Sequence, residues 1–184
     1  MTIPSVKELN PQLVRRLSRI KAFLLDVDGV LTATESIAAS GIEDRVINMM
    51  DADSIRSVQR IGVRVGILTT QANAVVLSRA RELAITDIYH GSFDKAGAYT
   101  DFKNLYQLKD EEIAFMGDGV LDLTVLKLVG FASTPSNGHV TAKMAAHYVS
   151  RYRGGFGAVR EVLTMLVRVQ TGDTDDQASA LPFF

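Results

Sequence analysis

The chain contains no cysteine among its 184 residues. Disulfide bonds, zinc sites built from thiolates and cysteine nucleophiles are therefore excluded. No apolar run approaches the ~18 residues that a membrane-spanning helix needs. The first residues alternate charged and apolar side chains and lack the continuous apolar core of a signal peptide. These absences predict a cytoplasmic protein that does not bind a membrane.

An excess of charge of either sign is also missing. Twenty Lys and Arg residues face twenty-one Asp and Glu residues, which gives a net charge of −1. This balance offers no electrostatic reason to expect a nucleic acid partner. The length favours a single domain, which we place at residues 1–170. Residues 171–184 form a polar, acidic tail with an apolar end, which we interpret as solvated; the alternative is that its end docks on a neighbouring subunit.

Short apolar segments alternate with amphipathic segments along most of the chain. The apolar segments predict strands at 22–25, 63–68, 87–89, 113–116, 130–132 and 148–149. The amphipathic segments predict helices at 11–19, 52–61, 72–83, 95–106, 120–128, 138–144 and 156–170. Residues 30–48 have no helical period and predict a β-hairpin flap. This alternation indicates a doubly wound α/β fold, a mostly parallel sheet with helices on both faces.

Polar residues stand where three of the predicted strands end, and a lysine opens one of the helices. They are Asp26 and Asp28, Thr69 and Thr70, Asp118 and Asp122, and Lys95. Ligands of open α/β sheets bind beyond the carboxyl ends of the strands, so we expect these side chains to share one rim. Clustered carboxylates resist ionisation unless a cation is present. Mg²⁺ takes oxygen ligands together with a substrate phosphate, and a carboxylate beside it can attack phosphorus.

A single pair of aspartates after a strand is a weak signal, because most such pairs are solvated loop acids. The ordered set is more specific: an apolar strand before DVDGVLT, a later strand ending in threonine, a lysine, and a strand followed by GDGxxD. The segment DVDGVLT at 26–32 resembles motif I of the haloacid dehalogenase superfamily. More narrowly it resembles the small capless phosphatases typified by 3-deoxy-D-manno-octulosonate 8-phosphate phosphatase. The resemblance covers roughly residues 20–168 and includes RGGFGAVRE at 153–161.

The resemblance implies a Rossmann-like fold without a cap domain, a Mg²⁺ cofactor and a homotetramer in which flap hairpins associate. It also implies a role for each matching residue. Asp26 is the nucleophile and a metal ligand, and Asp28 is the general acid and base, with its backbone carbonyl on the metal. Thr69 donates a hydrogen bond to the phosphoryl group, and Lys95 balances the charge of the nucleophile and the phosphate. Asp118 is a metal contact, and Asp122 orients the metal ligands. Thr70 and Arg153 are candidate substrate contacts, with Lys95 beside them.

The resemblance implies a phosphorylated sugar acid as the substrate class. The eight-carbon octulosonate 8-phosphate is the first choice, and a nine-carbon ulosonate 9-phosphate is the second. Three departures from the family pattern lie near the substrate side: Gln71 in place of the usual arginine, Gly119 in place of an aspartate, and Ala33-Thr34 in place of the frequent Asp-Gly in the flap. Two further readings stay open, a non-catalytic oligomeric binding module of the same fold and phosphoryl transfer between sugars.

Overall fold

The computed structural model of the protein describes residues 3–33, 47–71, 74–91 and 93–172. Its strands are β1 (Ala22–Leu25), β2 (Arg64–Leu68), β3 (Asp87–Tyr89), β4 (Ile113–Met116), β5 (Phe131–Thr134) and β6 (Tyr148–Val149). Its α-helices are α1 (Pro11–Leu17), α2 (Met49–Arg60), α3 (Ala74–Glu82), α4 (Lys95–Leu105), α5 (Leu123–Leu126), α6 (Val140–Ala145) and α7 (Ala158–Thr171). Short 3₁₀ turns cover Val6–Glu8, Asp110–Glu112 and Val120–Asp122.

The six strands form one parallel sheet in the order β3-β2-β1-β4-β5-β6. Leu25, the last residue of β1, lies opposite Ile67 of β2 and Met116 of β4. The doubly wound α/β prediction is confirmed. Because the chain moves outward from β1 first in one direction and then in the other, a crevice opens between the carboxyl ends of β1 and β4.

The sheet separates two apolar cores because successive strand residues point to opposite faces. Phe23 and Leu25 of β1 belong to the core that α1, α2, α3 and α7 cover. Leu24 belongs to the other core, where Tyr99 and Phe102 of α4 and residues of α5 and α6 pack. All four residues of β1 are fully buried, as expected for a central strand covered by helices on both faces. The central strand therefore holds its carboxyl end rigidly.

Most predicted helices differ from the structure by one or two residues at an end, and two differ more. α2 begins at Met49, before the predicted residue 52, because the Asn48 side chain accepts the backbone N–H of Met50 at 2.8 Å and caps the helix. The helix predicted over 120–128 is a 3₁₀ turn followed by the four-residue α5. Asp122 stabilises that tight turn by accepting backbone N–H groups. Such a bond from side chain to backbone produces no apolar periodicity, so the sequence pattern does not predict the turn.

The predicted flap at about 30–48 falls mostly outside the described residues, and so does the tail beyond residue 172. Both remain predictions. α7 extends to Thr171 and is followed by Gly172 in the left-handed region at φ 73°, the conformation that commonly ends a helix. Within the described ranges, every helix is too short or too polar to traverse a lipid bilayer.

Candidate active site

The carboxyl ends of the neighbouring strands β1 and β4 bring three aspartates together. Asp26 follows β1 directly, Asp118 lies two residues beyond β4, and Asp122 stands just before α5. One oxygen of each carboxylate lies within 4.8 Å of an oxygen of the others. The cluster therefore sits at the point where the strand order reverses, the usual ligand position in such sheets.

Lys95 places an ammonium group between two of these carboxylates. Its Nζ lies 2.9 Å from Oδ2 of Asp26 and 2.6 Å from Oδ1 of Asp122. The lysine is only 4 % exposed and is the first residue of α4. An unpaired buried charge is costly, so the two short ion pairs are what permit the ammonium to remain charged there. The lysine thereby joins the ends of β1 and β4 to α4.

Asp122 uses both of its oxygens on protein donors. Oδ1 accepts Lys95 Nζ, and Oδ2 accepts the backbone N–H groups of Asp118 at 2.9 Å and Gly119 at 2.8 Å. A Cβ atom at Gly117 would lie 2.5 Å from the Asp122 side chain, so the backbone approaches as closely as only glycine allows. These contacts favour the orienting role that the resemblance implies for Asp122.

The Asp26 carboxylate is fixed at both oxygens. Oδ1 accepts the backbone N–H of Val27 at 2.7 Å, and Oδ2 faces Lys95. The Asp26 backbone N–H continues the sheet by donating to the carbonyl of Met116 at 3.0 Å. The residue remains 7 % exposed. A carboxylate held in one orientation and reachable from the crevice is what an in-line attack on phosphorus requires.

The other candidates lie around the same edge of the sheet. Asp28 is half-buried in the loop after β1, where its backbone forms an isolated β-bridge with that of Thr32. Thr69 follows β2, is buried, and donates its hydroxyl to the carbonyl of Gln71 at 2.9 Å. Thr70 is half-buried beside it, and Arg153 is exposed at the start of a glycine-rich loop after β6. The roles of these residues remain predictions.

The cluster carries more negative charge than one ammonium offsets. Burial raises the pKa of Asp26 to about 7, and the Asp122 carboxylate adds to the rise although Lys95 opposes it. Burial and Asp122 likewise raise the pKa of Asp118 to about 6. Burial alone disfavours a charged Lys95, but Asp26 and Asp122 outweigh that effect and raise its pKa. The site thus holds an unneutralised carboxylate charge next to a fixed cation.

A sequence model of the haloacid dehalogenase-like hydrolases matches residues 68–163. The 3-deoxy-D-manno-octulosonate 8-phosphate phosphatase KdsC of Yersinia pestis is 32 % identical over 158 residues, which are 85 % of this chain and 84 % of that protein. The chain belongs to the haloacid dehalogenase-like hydrolases. The KdsC protein of Escherichia coli K12 is 31 % identical over 163 residues, 88 % of this chain and 87 % of its own.

Solved structures agree with these relatives. The phosphatase of the same name from Moraxella catarrhalis, described in complex with magnesium, phosphate and KDO, superposes with a TM-score of 0.86 at 27 % identity and covers 93 % of this chain and 98 % of its own. That of Yersinia pestis superposes with a TM-score of 0.82 at 29 % identity, covering 89 % of each chain. The hydrolase is thus a phosphatase of this family.

A hard divalent cation fits the donors that the hydrolase presents. The clustered groups are all carboxylate oxygens, with no sulfur and no imidazole among them. Such oxygens suit Mg²⁺, which binds through one or two carboxylates and keeps sites for water and phosphate. Asp122 already accepts three donors, two of them on one oxygen, whereas each Asp26 oxygen faces a single donor, so Asp26 and Asp118 are the side chains better placed to hold the ion.

We expect the metal-free hydrolase to be more stable at pH 5 than at pH 8. The pKa values of Asp26 and Asp118 are raised by folding to about 7 and about 6, so the native state holds protons that the unfolded chain releases. Their stabilisation is complete below the ordinary aspartate pKa and is lost as the pH rises through 6 to 7. Added Mg²⁺ must displace those protons, so its stabilising effect should be larger at pH 8.

Thermal unfolding in EDTA and in Mg²⁺ at both pH values measures this. An Asp118→Asn variant is the control, because it lacks one of the titrating groups and should show a weaker pH dependence. Equal midpoints for the metal-free protein at the two pH values would contradict the prediction, as would a larger Mg²⁺ effect at pH 5.

Among the described residues, two fully buried acids outside the cluster were not assigned a role from the sequence. Asp51 of α2 is fully buried and accepts the backbone N–H groups of Gly157 at 3.3 Å and Arg160 at 2.7 Å. Glu161 of α7 is fully buried and accepts Ser150 Oγ at 2.6 Å and Arg151 Nε at 2.6 Å. Each acid lies on the apolar face of its helix. A charged residue within an apolar stripe is the sequence signal that identifies such positions.

Proposed function

We propose that this phosphatase is a Mg²⁺-dependent phosphomonoesterase that removes the phosphate of 3-deoxy-D-manno-octulosonate 8-phosphate through an aspartyl-phosphate on Asp26. The observation that carries the proposal is the cluster in which Lys95 lies 2.9 Å from Asp26 beside two further aspartates at the crevice between β1 and β4. The names of the relatives, each a phosphatase for this substrate, support the substrate class.

In the first step, an oxygen of Asp26 attacks the phosphorus atom. A bond forms between phosphorus and Asp26 while the bond from phosphorus to the ester oxygen of the substrate breaks. Asp28, in its protonated form, gives its proton to the leaving alkoxide. Lys95 offsets negative charge on Asp26 and on the phosphoryl group, and Thr69 donates a hydrogen bond to a phosphoryl oxygen.

In the second step, Asp28 acts as a carboxylate and takes a proton from a water molecule. The oxygen of that water attacks the phosphorus, and the bond between phosphorus and Asp26 breaks. Inorganic phosphate leaves, Asp28 is protonated again, and Asp26 returns to its carboxylate form.

The residues that would hold the metal are the side chains of Asp26 and Asp118 and the backbone carbonyl of Asp28, with Asp122 orienting them. When bound, Mg²⁺ supplies positive charge that polarises the phosphoryl oxygens and lets the crowded carboxylates stay ionised. The pKa of Asp26, raised to about 7 by burial, supports this assignment, since a nearby cation would return the carboxylate to its nucleophilic form at neutral pH.

A substrate panel tests the proposal. With Mg²⁺, we expect kcat/KM for octulosonate 8-phosphate to exceed that for glucose 6-phosphate by at least about tenfold, the ratio produced by 1.4 kcal/mol of differential binding. The nine-carbon ulosonate 9-phosphate is the second candidate and should lie between them. EDTA should abolish all three activities.

Each other outcome of the panel has a defined meaning. Equal turnover of glucose 6-phosphate would overturn the substrate class and leave the phosphatase assignment. A higher kcat/KM for the nine-carbon substrate would reassign the enzyme to ulosonate 9-phosphates. Hydrolysis of none of the three, together with normal Mg²⁺ binding, would favour a non-catalytic binding module.

We also propose a cytoplasmic homotetramer. Large apolar side chains follow the carboxyl ends of several strands and are exposed; they are Phe93, Val120, Val140 and Phe156. Apolar surface around the site supports association between copies of the chain. Light scattering after gel filtration measures the mass, and a monomer at working concentrations would contradict the assembly.

A further inference from the structure

A buried carboxylate outside the catalytic cluster links α2 to the start of α7. Asp51 is 0 % exposed, and its two oxygens accept the backbone N–H groups of Gly157 and Arg160, which are 106 and 109 residues away in sequence. Gly157 has φ 98°, a conformation that disfavours the serine or threonine that would cap α7 from within. The cap comes instead from another helix, at the cost of burying a charge.

The glycine-rich loop that begins α7 lies directly on the loop after β1. The backbone N–H of Gly155 donates to the carbonyl of Val30 at 2.8 Å. A Cβ atom at Gly154 would lie 1.7 Å from the carbonyl oxygen of Gly29, and one at Gly155 would lie 2.5 Å from the backbone nitrogen of Ala33. Backbone therefore packs on backbone, with no side chain between the two loops to absorb a displacement.

The loop after β1 in turn lies against the acidic cluster. A Cβ atom at Gly29 would lie 2.1 Å from Oδ2 of Asp118, so Gly29 separates the glycine-rich loop from the metal-site carboxylate by the thickness of one backbone. Asp28 precedes Gly29, and Asp26 lies three residues before it. A shift of the glycine-rich loop is thus transmitted directly to the residues that hold the ion and the proton.

We propose that Asp51 is a positioning residue of the phosphatase, whose carboxylate holds the glycine-rich loop 153–157 against the loop that carries Asp28 and Gly29. Its action on catalysis passes through Gly157, Gly154 and Gly29, and it touches neither substrate nor metal. The part of this inference that concerns turnover rests on the proposed phosphatase reaction, whereas the part that concerns Mg²⁺ affinity does not.

The decisive variant is Asp51→Asn. The asparagine has the same shape, but its amide oxygen accepts only one of the two N–H groups, and its NH₂ group faces the other donor. The shorter bond, to Arg160, keeps the cap of α7, and the contact with Gly157 is lost. Burial raises the pKa of Asp51 to about 6, although the N–H groups of Arg160 and Gly157 oppose the rise. The measurements are therefore made at pH 8, where the wild-type Asp51 is a carboxylate.

We expect Asp51→Asn to weaken Mg²⁺ binding by about tenfold in isothermal titration calorimetry and to lower kcat by a similar factor with KM nearly unchanged. The matched control is Val58→Ala, which removes buried side chain from the same helix and destabilises the fold without touching the loop. Asp53→Asn is the half-exposed control on α2. Both controls should keep the Mg²⁺ dissociation constant within about twofold of the wild type.

A Mg²⁺ dissociation constant and kcat within twofold of the wild type in folded Asp51→Asn would overturn the proposal. An equal loss in Val58→Ala would also overturn it, because the effect would then follow stability alone. If circular dichroism shows Asp51→Asn to be unfolded, Asp51→Ser decides instead, since it keeps one oxygen acceptor and removes the buried charge. If the wild type hydrolyses none of the tested phosphates, the calorimetric comparison still decides the role of Asp51.

Discussion

We expect the Asp26→Asn variant to hydrolyse octulosonate 8-phosphate about 10⁴-fold more slowly than the wild type, or slower still, as for the loss of other enzyme nucleophiles. The amide is a poor nucleophile towards phosphorus and cannot form the aspartyl-phosphate. Its oxygen can still accept the Val27 N–H, so the loop after β1 should keep its shape. The loss should therefore fall on kcat rather than on folding.

Phosphate release in Mg²⁺ measures the effect, and thermal unfolding shows whether the variant is folded. Because burial raises the pKa of Asp26 to about 7, a neutral side chain at this position should not destabilise the metal-free protein. Asp53→Asn serves as the control, since Asp53 is half-exposed and pairs with Arg56 on the same helix. Turnover by Asp26→Asn within tenfold of the wild type would refute the assignment of the nucleophile.

The sequence was sufficient to predict the strands that position the site residues. The bounds of β1 and β4 agree with the predicted segments 22–25 and 113–116, because each is a fully buried apolar run that stops at a polar residue. Their adjacency follows from the doubly wound topology, which places acids after both strands in one crevice. The encounter of Asp26 with Asp118 was thus predictable from residue types and strand order.

The contacts that orient the site were not predictable in the same way. Asp122 binds backbone N–H groups three and four residues away in a 3₁₀ turn, and such a cap leaves no periodic trace. The bonds from Gly157 and Arg160 to Asp51 join residues more than a hundred positions apart, so only the folded chain reveals them. Both cases involve side chain to backbone bonds, which depend on local geometry rather than on apolar pattern.

Lys95 is where stability and catalysis depend on the same contact. Its Nζ is the donor that pairs with both Asp26 and Asp122, and the residue is buried. Removing one partner of a buried ion pair leaves uncompensated charge, which typically costs about 3–5 kcal/mol. Lys95 also opposes the rise in the pKa of Asp26, so its loss should push that pKa higher still.

We therefore expect Lys95→Met to lower the free energy of unfolding by about 3 kcal/mol or more in EDTA, with a larger loss at pH 8 than at pH 6, where Asp26 can take up a proton. Mg²⁺ should restore part of it by supplying positive charge, while kcat stays reduced by about 10²–10³-fold because the phosphoryl group loses a fixed cation. Denaturant unfolding and phosphate release measure the two effects.

Lys103→Met, on the same helix, is the matched control. Lys103 pairs with Asp110 at 2.9 Å near the surface, where such a bridge contributes about 1 kcal/mol or less. If Lys95→Met were no less stable than Lys103→Met and retained normal kcat, the ammonium would be neither the charge partner of Asp26 nor a stabiliser of the phosphoryl group. A stability loss with unchanged kcat would limit Lys95 to holding Asp26 and Asp122 in place. The phosphate contact would then have to come from another donor, for which Thr69 is a candidate.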